Sequence, residues 1–150
     1  MKNNYTYIQL YLRIATGASY LLAGLDRFGV WGPPGSPHVS WGSWSNFMQY
    51  AGKLMFFLPG NVAALLAGIA SGAEIVFGVL LIIGLYTRIA AIGSGLLLFT
   101  FALCMTVALG IQAPLNYSVF TASAASLLLA CLPGYRWSID ALRSRHTSAY

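Results

Sequence analysis

Four long apolar runs constrain the fold of this chain more than any other feature. They lie at about residues 7–28, 62–86, 89–110 and 115–132. Each approaches the ~20 residues that an α-helix needs to cross a hydrocarbon core ~30 Å thick. The runs lack the alternation of membrane β-strands, and a closed barrel needs at least about eight such strands. The sequence therefore predicts an all-α fold: a single domain over residues 1–150, built as an integral membrane four-helix bundle.

The composition agrees with a bilayer as the surrounding solvent. Hydrophobic residues make up 58% of the chain and charged residues only 7%, whereas about a quarter of an ordinary soluble domain is charged. The net charge is +5, but the Lys and Arg residues are scattered rather than clustered, which argues against a nucleic-acid partner. His38 and His146 fall on opposite sides of the predicted topology, so we expect no metal site.

The distribution of Lys and Arg predicts the orientation. With the N-terminus inside, the outer side receives only Arg27 and Lys53, and the inner side receives Lys2, Arg88, Arg136, Arg143 and Arg145. The positive-inside rule therefore places both termini in the cytoplasm of a multi-pass protein of the cell membrane, in our expectation a bacterial inner membrane. The first run is too long for a signal-peptide core and no cleavage motif follows it, so we expect it to remain as the first helix.

The outer loop at residues 29–61 contains a second, shorter helical pattern. Apolar residues from Trp44 to Leu58 recur at helical spacing, and Ser45 and Lys53 are among the polar residues that fall opposite them. The pattern predicts an interfacial helix over about residues 45–57. Two interpretations stay open: a lid over a lateral entrance for a lipid-like ligand, or a cap on the chain's own bundle.

Glu74 is the single charge in the stretch SGAEIVFG at residues 71–78. An ionised group at mid-bilayer is costly, so it needs a partner, a polar cavity or a proton. Arg13 is the one positive charge at a similar predicted depth, and we expect the two side chains to pair. The pair is either a functional site or an ion pair that fixes helix register.

Small and polar residues mark the helix faces around this predicted pair. One face of the first helix combines residues at i, i+4, i+7, i+11 and i+14: Arg13, Gly17, Tyr20, Gly24 and Arg27. On the second helix, Gly68 and Gly72 form a small-xxx-small pair that predicts close helix approach. Hydroxyl residues of the fourth run, such as Thr121, are expected to contribute polar groups.

The run GAEIVFGVLLIIGLYTRIAA at residues 72–91 resembles the core motif of the DoxX family of small four-helix membrane proteins. That motif places a mid-helix glutamate before G-x-L-L and G-L-x-T-R, which here correspond to Glu74 and to an element ending at Arg88. The family's arginine near the start of the first helix and its G-x-x-[KR] element match Arg13 and Gly24–Arg27. The candidate ligand-binding residues are therefore Glu74, Arg13, Tyr20 and Arg88, with Gly17, Gly24, Arg27 and Thr121 as secondary candidates.

The resemblance implies a membrane subunit associated with a quinone-linked oxidoreductase, with a bound quinone or lipid and no covalent cofactor. The expected partners are membrane lipids, a soluble or membrane oxidoreductase subunit, and a second copy of the chain. No catalytic residue is identified, and independent catalysis is not expected. Two alternatives remain open: a small transporter, channel or lipid carrier, and a structural or assembly subunit.

Overall fold

The computed structural model describes residues 4–147, with side chains for residues 5–143. Within these residues the fold is all-helical, as predicted, and no β-strand occurs. The seven helices are α1 Asn4–Asp26, α2 Trp44–Leu54, α3 Gly60–Ile83, α4 Thr87–Leu109, α5 Gln112–Asn116, α6 Val119–Cys131 and α7 Ile139–Thr147.

Helices α3 and α4 are long and apolar enough to cross a membrane, with mean hydropathies of 2.2 and 2.1. Only 28% and 22% of their most apolar segments are buried inside the protein. A soluble core helix of this apolarity would be mostly buried, so an apolar surface of this size calls for an apolar environment. The tight turn between the two helices uses a left-handed Gly84, where a Cβ would clash with Ser138 and with Arg13.

Helix α1 runs antiparallel to α3 but is displaced along it. Gly17 lies against Gly78 and Ile82, and Gly24 lies against Ile75. The end of α1 therefore reaches only the level of Ser71, about 11 residues or ~16 Å short of the start of α3. The contacts given by Gly17 and Gly24 fall on the second half of α3.

Helix α2 packs against the part of α3 that lies beyond the end of α1. Its buried residues Phe47 and Ala51 lie against Ala67 of α3, and Leu54 lies against α4. The Ser43 hydroxyl caps the helix by accepting a hydrogen bond from the Asn46 amide at 3.3 Å. The helix predicted over residues 45–57 is thus confirmed for most of its length, and its polar face is exposed.

The fourth predicted span is interrupted. Ser118 adopts a left-handed φ of 54° and separates the short α5 from α6, which has only 13 residues. Helix α6 packs closely on α4 at Gly95, whose carbonyl accepts a hydrogen bond from the Ser123 hydroxyl at 2.7 Å. The prediction of one continuous helix over residues 115–132 is therefore wrong, because residues 117–118 form a turn.

The segment between α6 and α7 closes the end of the protein that holds the α3–α4 turn. Asp140 accepts the backbone amides of Tyr86 and Thr87 at 2.9 and 2.8 Å and so caps the start of α4. Such a carboxylate satisfies amides that no intrahelical carbonyl reaches. The cap ties α7 to the turn between α3 and α4.

Candidate functional site

Glu74, near the middle of α3, pairs with the arginine at the end of α1. Arg27 Nη2 lies 2.7 Å from Glu74 Oε2, and only 6% and 11% of the two side chains is exposed. Arg27 Nη1 donates a hydrogen bond to the Ser71 hydroxyl at 2.6 Å. The guanidinium also lies over the Phe47 ring, 4.1 Å from its centroid. The site therefore draws on three elements: the end of α1, the middle of α3 and the buried face of α2.

Local sequence explains how these groups converge. Ser71 and Glu74 are three residues apart on α3 and so share one face. Arg27 directly follows the last residue of α1, where a cation is favoured by the carbonyl end of the helix. The planar guanidinium suits both the carboxylate and the ring of Phe47. The arrangement desolvates an ion pair near the middle of the long apolar helix.

The predicted pairing of Arg13 with Glu74 is wrong. Arg13 is fully buried, but its Nη2 donates to the carbonyl of Trp137 at 2.6 Å and its Nη1 to the carbonyl of Arg136 at 3.5 Å. Its guanidinium lies beside Gly84, about ten residues or ~15 Å further along α3 than Glu74. Arg13 therefore binds the segment between α6 and α7 to α1, and it is not part of the site around Glu74.

The other candidates from the first helix lie between these two ends. The Tyr20 hydroxyl donates to the carbonyl of Ser94 at 2.7 Å, which joins α1 to α4. Gly17 and Gly24 lie on the buried face of α1 and allow it to approach α3. The predicted buried face of the first helix is thus confirmed, although only Arg27 on that face touches Glu74.

The remaining candidates lie away from the pair. Arg88 is exposed at the start of α4, and its Nε donates to the carbonyl of Ala130 at 3.1 Å. Thr121 is exposed on α6. Gly68 and Gly72 have no neighbouring atom within 4 Å of an added Cβ, so the close approach predicted at this pair is also wrong. Helix contact uses Gly17 and Gly78 instead.

A profile of the DoxX family matches residues 8–109 of the chain. The chain belongs to the DoxX family. No curated protein and no solved structure matched the chain in the corresponding comparisons. The matched range runs from α1 to the end of α4 and therefore includes both members of the ion pair. Together with the two apolar helices, this membership indicates a membrane protein.

Sequence reasoning missed two contributors to the site of this DoxX protein. Ser71 precedes Glu74 by three residues, which is a readable signal for a shared face, but it was not selected. Phe47 was assigned only to the apolar side of the loop helix. Its contact with Arg27 depends on where α2 packs, and no local sequence pattern gives that position.

The three acidic residues of this DoxX protein have different partners. Asp26 Oδ2 accepts the amides of Ser40 and Trp41 at 3.0 and 2.8 Å, and Asp140 accepts two amides at the start of α4. In the described part of the chain, Glu74 contacts a side-chain cation and no backbone amide. Glu74 is therefore the acidic residue whose carboxylate loses its partner when a neighbouring side chain, here that of Arg27, is replaced.

The described residues contain no group of three or more potential metal ligands. Two buried polar atoms of the pair form no hydrogen bond among the described residues: Arg27 Nε, and Glu74 Oε2, which is held by the ion pair alone. Two grooves of about 400 and 760 Å³ lie at the opposite end of the molecule, near the α6–α7 connection. Neither groove is lined by Arg27 or Glu74, whose pair is buried beneath α2.

Proposed function

We propose that this DoxX protein is a multi-pass subunit of the cell membrane that presents the Arg27–Glu74 pair to the polar head of a lipid-like ligand. The ligand is of the quinone class, and a partner oxidoreductase carries out the electron transfer. In this proposal the chain crosses the membrane four times: α1 together with the loop that follows it, then α3, α4 and the α5–α6 segment. Both termini lie in the cytoplasm, and α2 and the loop after α1 cover the outer half, which α1 does not reach.

Exposed aromatic residues support this placement. At the end that holds the α3–α4 turn they form a set that we call the inner girdle: Tyr5, Tyr7, Tyr11, Tyr86 and Trp137. At the opposite end Phe56, Phe57 and Tyr117 are exposed. Aromatic side chains favour both membrane–water interfaces, and the apolar faces of α3 and α4 lie between the two sets.

Charge supports the orientation. The exposed arginines Arg88, Arg136 and Arg143 lie at the end with the inner girdle, whereas Lys53 on α2 lies toward the other end. Arg27 is buried and does not count toward either surface. The excess of positive charge then marks the cytoplasmic side.

The depth of the pair carries the proposal. Glu74 lies ~21 Å from the start of α3 and ~14 Å from its end, at the level where α1 stops and the chain continues without regular helix. Non-helical backbone at membrane depth is tolerated only where protein buries it or where it lines a cavity. Ionisable residues at such depths mark functional sites by default.

The chemistry of the pair fits a ligand with carbonyl oxygens. Arg27 Nε is a donor without an acceptor among the described residues, and Glu74 can accept a hydrogen bond or hold a proton. A quinone site combines an apolar slot with one or two such polar groups. When bound, a quinone supplies the redox chemistry, while Arg27 orients its head and Glu74 holds the proton. In this proposal the electrons come from the partner oxidoreductase.

Quinone binding to the purified protein in detergent micelles tests this proposal. We expect a short-chain quinone analogue to quench tryptophan fluorescence, and Glu74→Gln and Arg27→Met to weaken its binding at least about ten-fold, as loss of one charge-assisted contact predicts. Lys53→Gln removes a charge from the exposed face of α2 and should leave binding unchanged. Equal binding by all four proteins would refute the site.

The competing structural role predicts a different result. If the pair only fixes helix register, Glu74→Gln should lower the free energy of unfolding and leave the affinity for the quinone analogue unchanged. Purification from native membranes separates the two possibilities further. A quinone-linked partner that co-purifies with the unchanged protein supports the proposal, and its absence from such preparations contradicts the assignment as a subunit.

A further inference from the structure

A groove of about 760 Å³ opens at the end of the molecule that holds the inner girdle. Its walls come from the start of α1, the start of α4 and the α6–α7 connection. It lies about one membrane leaflet away from the Arg27–Glu74 pair. The groove is therefore a separate feature with its own chemistry.

Two exposed arginines line this groove, Arg88 of α4 and Arg136 of the α6–α7 connection. Arg88 is held through its Nε, which donates to the carbonyl of Ala130 at 3.1 Å. Its terminal nitrogens form no hydrogen bond within the described part of the chain. Asp140 also lines the groove, but both of its carboxylate oxygens accept backbone amides of the α3–α4 turn. Asp140 keeps its negative charge, but two arginines against one carboxylate leave the groove lining with a net positive charge.

The groove wall also contains an unused buried donor. Gln9 is only 2% exposed, and its Oε1 accepts the amide of Arg136 at 3.0 Å. That bond fixes the orientation of the side-chain amide, yet Gln9 Nε2 has no acceptor among the described residues. A buried donor is normally satisfied, so an acceptor supplied by a ligand fits this position.

The wall is rigid enough to be a built site. Arg13 is fully buried and donates to the carbonyls of Arg136 and Trp137. These bonds hold the connection against α1 and so fix the position of Arg136 relative to Gln9. The positive charge of Arg13 lies directly behind the wall and adds to the attraction for an anion.

We infer that this groove binds the phosphate of an anionic phospholipid. A phosphate offers several acceptor oxygens, which match two guanidinium groups and one amide donor. The same groove is lined by Tyr5, Leu132 and Pro133, which supply apolar surface for the glycerol and the start of the acyl chains. The inner girdle places the groove at headgroup level, and the cytoplasmic leaflet is the one that carries anionic lipid.

Titration of the purified protein with short-chain phosphatidylglycerol, with phosphatidylcholine of the same chain length and with inorganic phosphate tests the inference. Native mass spectrometry counts the bound molecules. We expect phosphatidylglycerol to bind at least about ten-fold more tightly than phosphatidylcholine. Similar affinities for the two lipids would overturn the inference, and inorganic phosphate binding as tightly as the anionic lipid would overturn the assignment to a lipid.

Matched variants locate the binding. Arg88→Gln and Arg136→Gln should each weaken phosphatidylglycerol binding about five-fold, and the double variant about 25-fold. Replacement of both by Lys keeps the charge and should retain most of the affinity. Arg143→Gln removes the same charge from α7, outside the groove, and should change binding less than about two-fold. Equal losses in the groove variants and the Arg143 variant would overturn the location.

Two further measurements test the inference separately from the folding of the groove variants and from the proposed quinone site. In the unchanged protein, added NaCl should weaken phosphatidylglycerol binding, and salt-independent binding would contradict a phosphate contact. Glu74→Gln should leave phosphatidylglycerol binding unchanged even where it abolishes quinone binding. A parallel loss of both would show that the two sites are not separate and would overturn the inference.

Discussion

Replacing Arg27 with Met should destabilise the protein strongly, because it leaves a buried carboxylate without its cation. Breaking a buried ion pair costs ~3–5 kcal/mol in soluble proteins. The variant also loses the 2.6 Å hydrogen bond to Ser71 and the cation–π contact with Phe47, the latter worth ~1–2 kcal/mol. We expect the free energy of unfolding to fall by about 4 kcal/mol or more at pH 7. The double change of Arg27→Met with Glu74→Leu strands no charge and should recover about 2–4 kcal/mol.

The pH dependence distinguishes the two single variants. A buried glutamate without its cation can take up a proton. For a carboxyl with an unperturbed pKa, protonation costs about 3–4 kcal/mol at pH 7 and about 1.4 kcal/mol less for each pH unit below 7. The destabilisation by Arg27→Met should therefore shrink by up to ~3 kcal/mol between pH 7 and pH 5. Glu74→Gln strands a guanidinium, which does not lose its proton, so its destabilisation should stay constant.

Unfolding in mixed micelles of rising SDS fraction, followed by tryptophan fluorescence, gives these free energies. A double-mutant cycle made of Arg27→Met, Glu74→Leu and the variant with both changes should return a coupling energy of about 2–4 kcal/mol between Arg27 and Glu74. Lys53→Met serves as the control, since it removes an exposed charge from α2. A coupling energy below about 0.5 kcal/mol, or identical pH profiles for the two single variants, would refute the reasoning.

Three further predictions concern the scaffold. Gly17→Ala places a Cβ 2.8 Å from Ile82 and 2.9 Å from a backbone oxygen and should lower the free energy of unfolding in micelles by ~1–3 kcal/mol. Gly72→Ala meets no atom within 4 Å and should be neutral or stabilising. Equal effects of the two changes would contradict the packing. Asp140→Asn loses one of two amide contacts at the start of α4 and should lower the same free energy by ~1 kcal/mol, while an unchanged midpoint would argue against the cap. A cysteine at position 40 should react with an impermeant reagent added outside cells, and labelling only from the cytoplasmic side would reverse the orientation.

Periodicity along a single helix was sufficient to predict its buried face. The face from Arg13 to Arg27 combines small and polar residues at regular helical spacing, and all five of its members are buried. The loop helix was predictable for the same reason, because its apolar and polar residues separate cleanly. Composition and run length likewise identified α3 and α4. These features depend on local sequence, so no knowledge of the tertiary arrangement was needed.

The partner of Glu74 could not be predicted in this way, because it depends on how far α1 is shifted along α3. That shift is set by Gly17 and Gly24 packing against α3, and by Arg13 binding carbonyls of the α6–α7 connection. Those carbonyls lie more than 120 residues away in sequence. Counting residues from the estimated ends of each span predicted similar depths for Arg13 and Glu74, whereas Arg13 lies beside Gly84, about ten residues further along α3. Similarly, Gly72 matched a packing pattern, although nothing in the structure lies against it.

The end of α1 beside the middle of α3 has a consequence for biogenesis. Helix α3 is apolar enough to enter the bilayer despite its one glutamate, whereas α1 contains Arg13 and Asp26 and is followed by Arg27, each unfavourable for insertion by a few kcal/mol. Glu74 pairs with Arg27 and offsets its charge. We therefore expect the free energy of inserting the first helix into the membrane to be lower once α3 has been synthesised than before. In the proposed topology we therefore expect insertion of the N-terminal segment to depend on Glu74, a residue synthesised 47 positions after Arg27.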